Sequence, residues 1–262
     1  MRITYRYKNN KDYWQKRWDQ IPADEAMTNE AIYPLKYANI CIDTKESKIL
    51  EAGCGNGRIL RYYHNNGYNI TGFDFIKTSI EKLKAVDSSL NAEVGDITKL
   101  KYKNNSFDYI LAFGLYHNLQ NNLDDAISET YRILTSSGKV CASFRADNIQ
   151  TRLTDWLNNQ ATSSQGDRDS SFFHKMNLKE NEFLELFIKH GFKIENIYHV
   201  ENMPFIYKIP FFRSKTHKNF NENLARNEGY KLSFLGKKIQ KIFMKYFSKH
   251  FCNIFVIIAK KI

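Results

Sequence analysis

The segment Gly53-Cys54-Gly55-Asn56-Gly57 constrains this chain more than any other, because it sets three glycines in five residues between an apolar strand and a helix start. Glycine reaches positive φ without penalty and lets a backbone approach a bound molecule closely. A helix that starts directly after such a loop offers unpaired N–H groups to negative charge. Strand, glycine loop and helix in that order are what a nucleotide-type ligand requires. The spacing narrows the ligand further. A dinucleotide loop follows G-x-G-x-x-G, whereas here the third glycine comes one residue early and Arg58 holds the last position of that pattern. The loop speaks against NAD.

From Ser47 onward, short apolar runs alternate with amphipathic ones. The pattern predicts strands over 48–53, 69–74, 92–96, 107–113 and 138–144, with helices over 57–66, 78–86 and 122–135. Such alternation argues for an α/β fold with a parallel sheet covered on both faces. A polar stretch over 158–171 reads as a loop. An amphipathic helix over 177–190 follows, turning Leu178, Phe183, Leu186 and Phe187 inward and capped by Gly191. Strands over 193–200 and 253–259 complete the set, the latter a continuous apolar run. Ahead of the core, Tyr13, Trp14 and Trp18 precede a predicted helix over 29–42.

The formal charge is +11, and residues 202–250 carry eleven basic against two acidic residues, most of that excess. Because Lys, Asn, Ile, Tyr and Phe are all abundant, a bias that codon composition alone produces, the total is weak evidence for nucleic acid; its placement matters more. No run of 18 apolar residues and no apolar leader is present, so a cytoplasmic protein is expected. The four cysteines form no C-x-x-C pair, which predicts reduced thiols and no zinc site, with Cys54 a small filler in the loop.

With its loop extended to Glu51-Ala52-Gly53-Cys54-Gly55-Asn56-Gly57, the chain resembles class I (Rossmann-like) methyltransferases of the small-molecule type with an E-x-G-C-G-x-G loop. The likeness continues through Gly72-Phe73-Asp74, Val94-Gly95-Asp96-Ile97, the segment 106–119, Glu129-Thr130-Tyr131-Arg132-Ile133-Leu134 and Gly138-Lys139-Val140. It covers about residues 40–200, and its specificity lies in the ordered series. The resemblance implies a doubly wound, mostly parallel seven-stranded sheet with helices on both faces and the last strand antiparallel. It implies S-adenosylmethionine as cofactor and S-adenosylhomocysteine as product. Glu51 would lie near the methionine amino group, with Gly53, Cys54, Gly55, Asn56 and Gly57 under the methionine and ribose. Asp74 would accept from two ribose hydroxyls, about twenty residues past the loop, and Asp96 from the adenine amino group. Phe75 and Ile97 would flank the adenine, with Phe113 also on the cofactor. Residues 1–46 would then be an aromatic lid, 47–201 with 251–262 the core, and 202–250 a basic insertion over the substrate side.

Methyl transfer from a sulfonium is an in-line displacement in which positioning supplies much of the rate. A base is needed only for an acceptor that starts protonated. No metal-ligand cluster is visible, and the fourth strand lacks the D/N-P-P-Y tetrad of amide-type methylators, carrying Tyr116 and His117 instead. His117, just past a strand's carboxyl end, is the candidate base or orienting residue, against a packing histidine as the alternative. Tyr13, Trp14 and Trp18 are candidate lid residues over the cofactor and substrate, with plain packing on the sheet as the alternative, and Arg145 and His174 are candidate substrate contacts. In the insertion, Leu232, Leu235, Ile239, Ile242, Phe243 and Tyr246 share one helical face with lysines on the others. Three roles fit that pattern: a cleft cover, a peripheral membrane contact through 231–247, or a contact with tRNA phosphates. The expected acceptor is a small or medium-sized metabolite (a sugar, quinone-like or lipid-linked molecule). A tRNA-base methyltransferase and a non-catalytic cofactor-binding module are the rivals.

Overall fold

The computed structural model of the chain describes residues 1–6, 9–23, 25–163, 172–201, 203–219 and 229–262. Along the chain run β1 (Arg2–Arg6), α1 (Asn10–Gln20), α2 (Leu35–Cys41), β2 (Ile49–Ala52), α3 (Arg58–Asn65), β3 (Ile70–Asp74), α4 (Lys77–Val86), β4 (Ala92–Val94) and β5 (Phe107–Ala112). They are followed by α5 (Leu123–Ile133), β6 (Leu134–Arg145), α6 (Ile149–Ser163), β7 (Phe172–Asn177), α7 (Glu180–Ile188), β8 (Phe192–His199), α8 (Pro204–Lys208), α9 (Phe234–Phe251) and β9 (Ile254–Lys261).

Seven strands form one sheet in the order β4-β3-β2-β5-β6-β9-β8. The first five are parallel, and β9 lies antiparallel between β6 and β8. Central strands buried on both faces need apolar residues at consecutive positions. Ile49 and Leu50 of β2, and Ile110 and Leu111 of β5, accordingly expose no surface. Each such side chain stabilises the fold by roughly 1.5–3 kcal/mol on burial. The chain leaves β2 toward β3 on one side, while β5 lies on the other. The order reverses there, and a crevice opens at the carboxyl ends of those strands, where open α/β sheets bind ligands.

Several expected elements differ from those formed. The helix predicted over 29–42 is confined to α2, because Pro34 disfavours helical φ/ψ at Tyr33 and the helix can begin only after it. Tyr13, Trp14 and Trp18, placed ahead of a helix, stand on α1 itself, whose first turn is capped by the Asn9 side chain. The polar stretch over 158–171 is partly helical, since α6 runs to Ser163; its remainder, 164–171, lies outside the described residues. The pairing of β1 with β7 in a separate two-stranded ribbon was not foreseen.

The insertion builds a small core of its own. Met203, Ile206, Tyr207 and Leu232 are buried there against Phe212, Ile239 and Phe243. Leu232, expected on the helical face, precedes α9, which starts after its cap Ser233. That face also divides: Ile239 and Phe243 pack inward, whereas Leu235, Ile242 and Tyr246 are exposed. Arg226, Glu222 and Glu228 of the insertion lie outside the described residues.

Candidate cofactor and substrate cleft

A cleft of about 680 Å³ opens at the carboxyl ends of β2, β3, β5 and β6. One half is made by the glycine loop. The Gly53 and Cys54 amides both donate to the Phe73 carbonyl at 2.9 Å, which holds the loop against β3. Gly57 caps α3 at φ +86°, in the left-handed region that a side chain avoids. Asp74, at the end of β3, accepts from the Gly55 amide at 2.8 Å and from the Ile76 amide at 2.9 Å. Its burial pushes the carboxyl above the usual carboxylate range, with those N–H groups pulling the other way. Glu51 is buried on the same wall. Burial beside Glu51 and Asp74 drives the Cys54 thiol well above its usual range, so no nucleophilic thiolate is present.

The neighbouring turn holds the other acid. Asp96 Oδ1 accepts from the Thr98 amide at 2.9 Å and from its hydroxyl at 2.8 Å, fixing a carboxylate at the cleft edge between Gly95 and the buried Ile97. Phe75 and Phe113 line the same space.

Helix α1 lies across the loop. Trp14 stacks on Trp18 with ring centroids 5.5 Å apart, and Trp18 is buried. A Cβ placed on Gly55 would stand 2.9 Å from the Trp18 ring, so Trp18 packs on the loop itself. Lys82 of α4 donates to the Trp18, Asp19 and Ile21 carbonyls at 2.5, 3.0 and 2.8 Å, closing the end of α1 where carbonyls lack helical partners. Sequence reading missed this residue, because three backbone acceptors leave no motif. Replacing Lys82 by Met is expected to cost about 1–3 kcal/mol and to speed proteolysis near residues 10–21, as read by thermal melts and limited digestion.

The other half of the cleft is cationic. His117 sits on the turn Tyr116–Asn118, its ring edge-on to Phe144 at 6.2 Å. Its Nδ1 is buried and, among the described residues, has no hydrogen-bond partner. Burial, then the charges of Arg145 and Lys175, hold it well below the ordinary histidine value. Tyr116, paired with His117 as a catalytic candidate, is not in the cleft. It is fully buried, its hydroxyl 2.7 Å from that of Thr130, because adjacent residues of the turn point to opposite sides. Arg145 Nη1 donates to Asn253 Oδ1 at 3.0 Å. His174 is pushed down to about 3 by burial and by Lys175, Arg6 and Arg145. Lys175, Tyr33 and Ser143 are among the lining residues that escaped the sequence reading. Ser143 accepts from the Gly114 amide at 2.9 Å and meets the Tyr33 hydroxyl at 3.0 Å. Ser143 lies two residues before Arg145 on β6, and strand periodicity puts both on one face. Among the described residues no group of His, Cys, Asp and Glu could hold a metal ion.

Residues 50–142, which span β2 through most of β6, match the methyltransferase domain family. The chain carries a class I methyltransferase domain. Its fold matches a solved S-adenosylmethionine-dependent methyltransferase of Methanosarcina mazei, with a TM-score of 0.57 at 18% identity over 88% of this chain and 98% of that one. In sequence the domain is similar to a malonyl-acyl-carrier-protein O-methyltransferase of Enterobacter lignolyticus, 26% identical over 42% of this chain and 44% of the relative. It is also similar to a demethylmenaquinone methyltransferase of Leptospira interrogans, 32% identical over 34% of this chain and 39% of the relative. The match thus spans under half the length of both curated relatives. Family and fold imply S-adenosylmethionine as the cofactor of the methyltransferase domain. The residues present fit that group: the loop Gly53–Asn56 lines the cleft, with Glu51, Asp74 and Asp96 along one wall for a cationic amino acid, a ribose and an amino-purine.

Proposed function

We propose that this chain transfers a methyl group from S-adenosylmethionine to a small or medium-sized acceptor held in the cationic half of the cleft. The observation that carries this reading is the hydrogen bond that the Gly55 amide donates to Asp74, which fixes a buried acid at the end of β3 beside the loop. Bound there, the cofactor supplies an electrophilic methyl for in-line displacement. Glu51 would orient its amino group, Asp74 its ribose and Asp96 its adenine, with Phe75, Ile97 and Phe113 excluding water. His117 Nδ1 would accept a hydrogen bond from a protonated acceptor and take its proton as the new bond forms. A histidine held so low is a weak base, so it assists only once the acceptor has become acidic in the transition state. It also stays unprotonated as the pH falls. The rate is therefore expected to hold through pH 6.5, the ordinary histidine value, with a decline only further into acid. A pH–rate profile that falls with a midpoint near 6.5 contradicts that role. His117→Gln should lower kcat about 10²-fold or more and leave cofactor affinity unchanged.

A second part of the reading concerns α9. Phe234 is 84% exposed and Tyr246 64%, with Leu235 and Ile242 also exposed among Lys237, Lys238, Lys241 and Lys245. RNA phosphates would use the lysines alone, whereas an anionic bilayer uses both sets of side chains. No described helix is long and apolar enough to cross a membrane, which leaves contact in the plane of the interface. The protein should sediment with vesicles containing 30% phosphatidylserine (about 1 kcal/mol per basic residue near the surface) and not with neutral ones. Replacing Leu235, Ile242 and Tyr246 together by Ser should release it. Equal binding to both vesicle types, or tighter binding to RNA, rules this contact out.

A further inference from the structure

We propose that the methyl acceptor carries an oxyanion, a carboxylate or a phosphate, and that Arg145 binds it; this rests on the cleft being the acceptor site. Arg145 ends β6, two strands along the sheet from the glycine loop, or about 10 Å at ordinary strand spacing. Its side chain is oriented by the neutral Asn253, and no carboxylate pairs with it among the described residues. A second cation, Lys175, reaches the cleft from β7, with the neutral imidazoles of His174 on the same strand and His117 on the turn after β5 beside it.

The nearby acids are already shared. Asp155 accepts from Lys175 at 3.1 Å and from Arg2 at 2.8 Å, while Asp147 accepts from Arg2 and Arg152 at 2.8 and 3.0 Å. Positive charge on this wall therefore exceeds its counter-charge. Burial, and then repulsion from Arg145, lowers Lys175 to about 8. Half-buried like charges raise the energy of the empty site, and a bound anion relieves it. The acids of the cleft (Glu51, Asp74 and Asp96) all stand on the other half. A guanidinium with open N–H donors matches the paired oxygens of a carboxylate or phosphate. Neutral acceptors would leave it unpaired.

The test uses the full chain saturated with S-adenosylhomocysteine, titrated calorimetrically with malonate, inorganic phosphate and the uncharged dimethyl malonate. Anion binding with no binding of the diester is expected, and the tighter of malonate and phosphate identifies the class. Arg145→Met should weaken the anion at least about tenfold, Arg145→Lys less, with S-adenosylhomocysteine affinity kept within twofold in both. The proposal is overturned if the diester binds as well as malonate, or if both variants bind anions like the parent. Repeating the anion titration without S-adenosylhomocysteine separates the two claims. Loss of product binding alone would count against the methyltransferase reading, and loss of anion binding alone against this one.

Discussion

Asp74→Ala is expected to weaken S-adenosylmethionine binding by about 100-fold or more. The carboxylate has two tasks. It accepts the Gly55 amide at 2.8 Å and the Ile76 amide at 2.9 Å, which fixes the loop against β3. It is also the acid proposed to receive the ribose hydroxyls. Charged hydrogen bonds contribute about 1.5–3 kcal/mol each, and a buried N–H left without its acceptor costs a further 1–3 kcal/mol. Two of these losses at mid-range, about 4 kcal/mol together, exceed the roughly 2.8 kcal/mol that corresponds to 100-fold in affinity. Asp74→Asn keeps the size and one acceptor oxygen, so its loss should be smaller. Calorimetric affinities for the three proteins read this directly, and an Ala variant within threefold of the parent would remove Asp74 from the site.

The second large effect falls on stability. Gly57→Ala is expected to destabilise the fold by about 2–5 kcal/mol. A left-handed backbone costs a non-glycine residue roughly 1–2 kcal/mol, and overpacking adds about 1–3 kcal/mol. Both apply at Gly57, with φ +86° and a new Cβ 2.3 Å from Leu83 Cδ2 and 3.0 Å from Cδ1. Leu83 is itself fully buried, so the clash has no open side. Gly67 supplies the control: φ is +76°, yet a Cβ there meets nothing within 4 Å. Gly67→Ala should show the backbone cost alone. At about 2–4 °C per kcal/mol for a chain of this size, Gly57→Ala should melt about 5–15 °C lower, and Gly67→Ala only a few degrees. Equal shifts for the two variants would mean that the Leu83 contact is not felt.

The parts of this architecture that local chemistry dictates were legible in the sequence. The runs Ile49–Ala52 and Phe107–Ala112, apolar apart from Glu51 and Asp108, marked buried strands, and three glycines between strand and helix favoured a ligand loop over a plain tight turn. Pairings across long sequence distances were not legible. β1 meets β7 some 170 residues away, and neither segment carries a pattern naming the other. Pro34 was a local signal that the periodicity over 29–42 overrode; the proline prevails because it restricts the residue before it, whatever the apolar spacing. At the candidate site, Tyr116 and His117 are neighbours with opposite fates, a matter of one step around a tight turn. Lys175 was hidden for another reason. It reaches the cleft only because the β1–β7 ribbon brings it beside Arg145, and that ribbon was itself unseen.

One measurement tests the central claim most directly: calorimetric titration of the purified chain with S-adenosylmethionine and, separately, with NADH. The loop spacing, the acid at Asp74 and the family match together predict micromolar binding of S-adenosylmethionine and none of NADH. Binding of NADH without binding of S-adenosylmethionine would contradict the account.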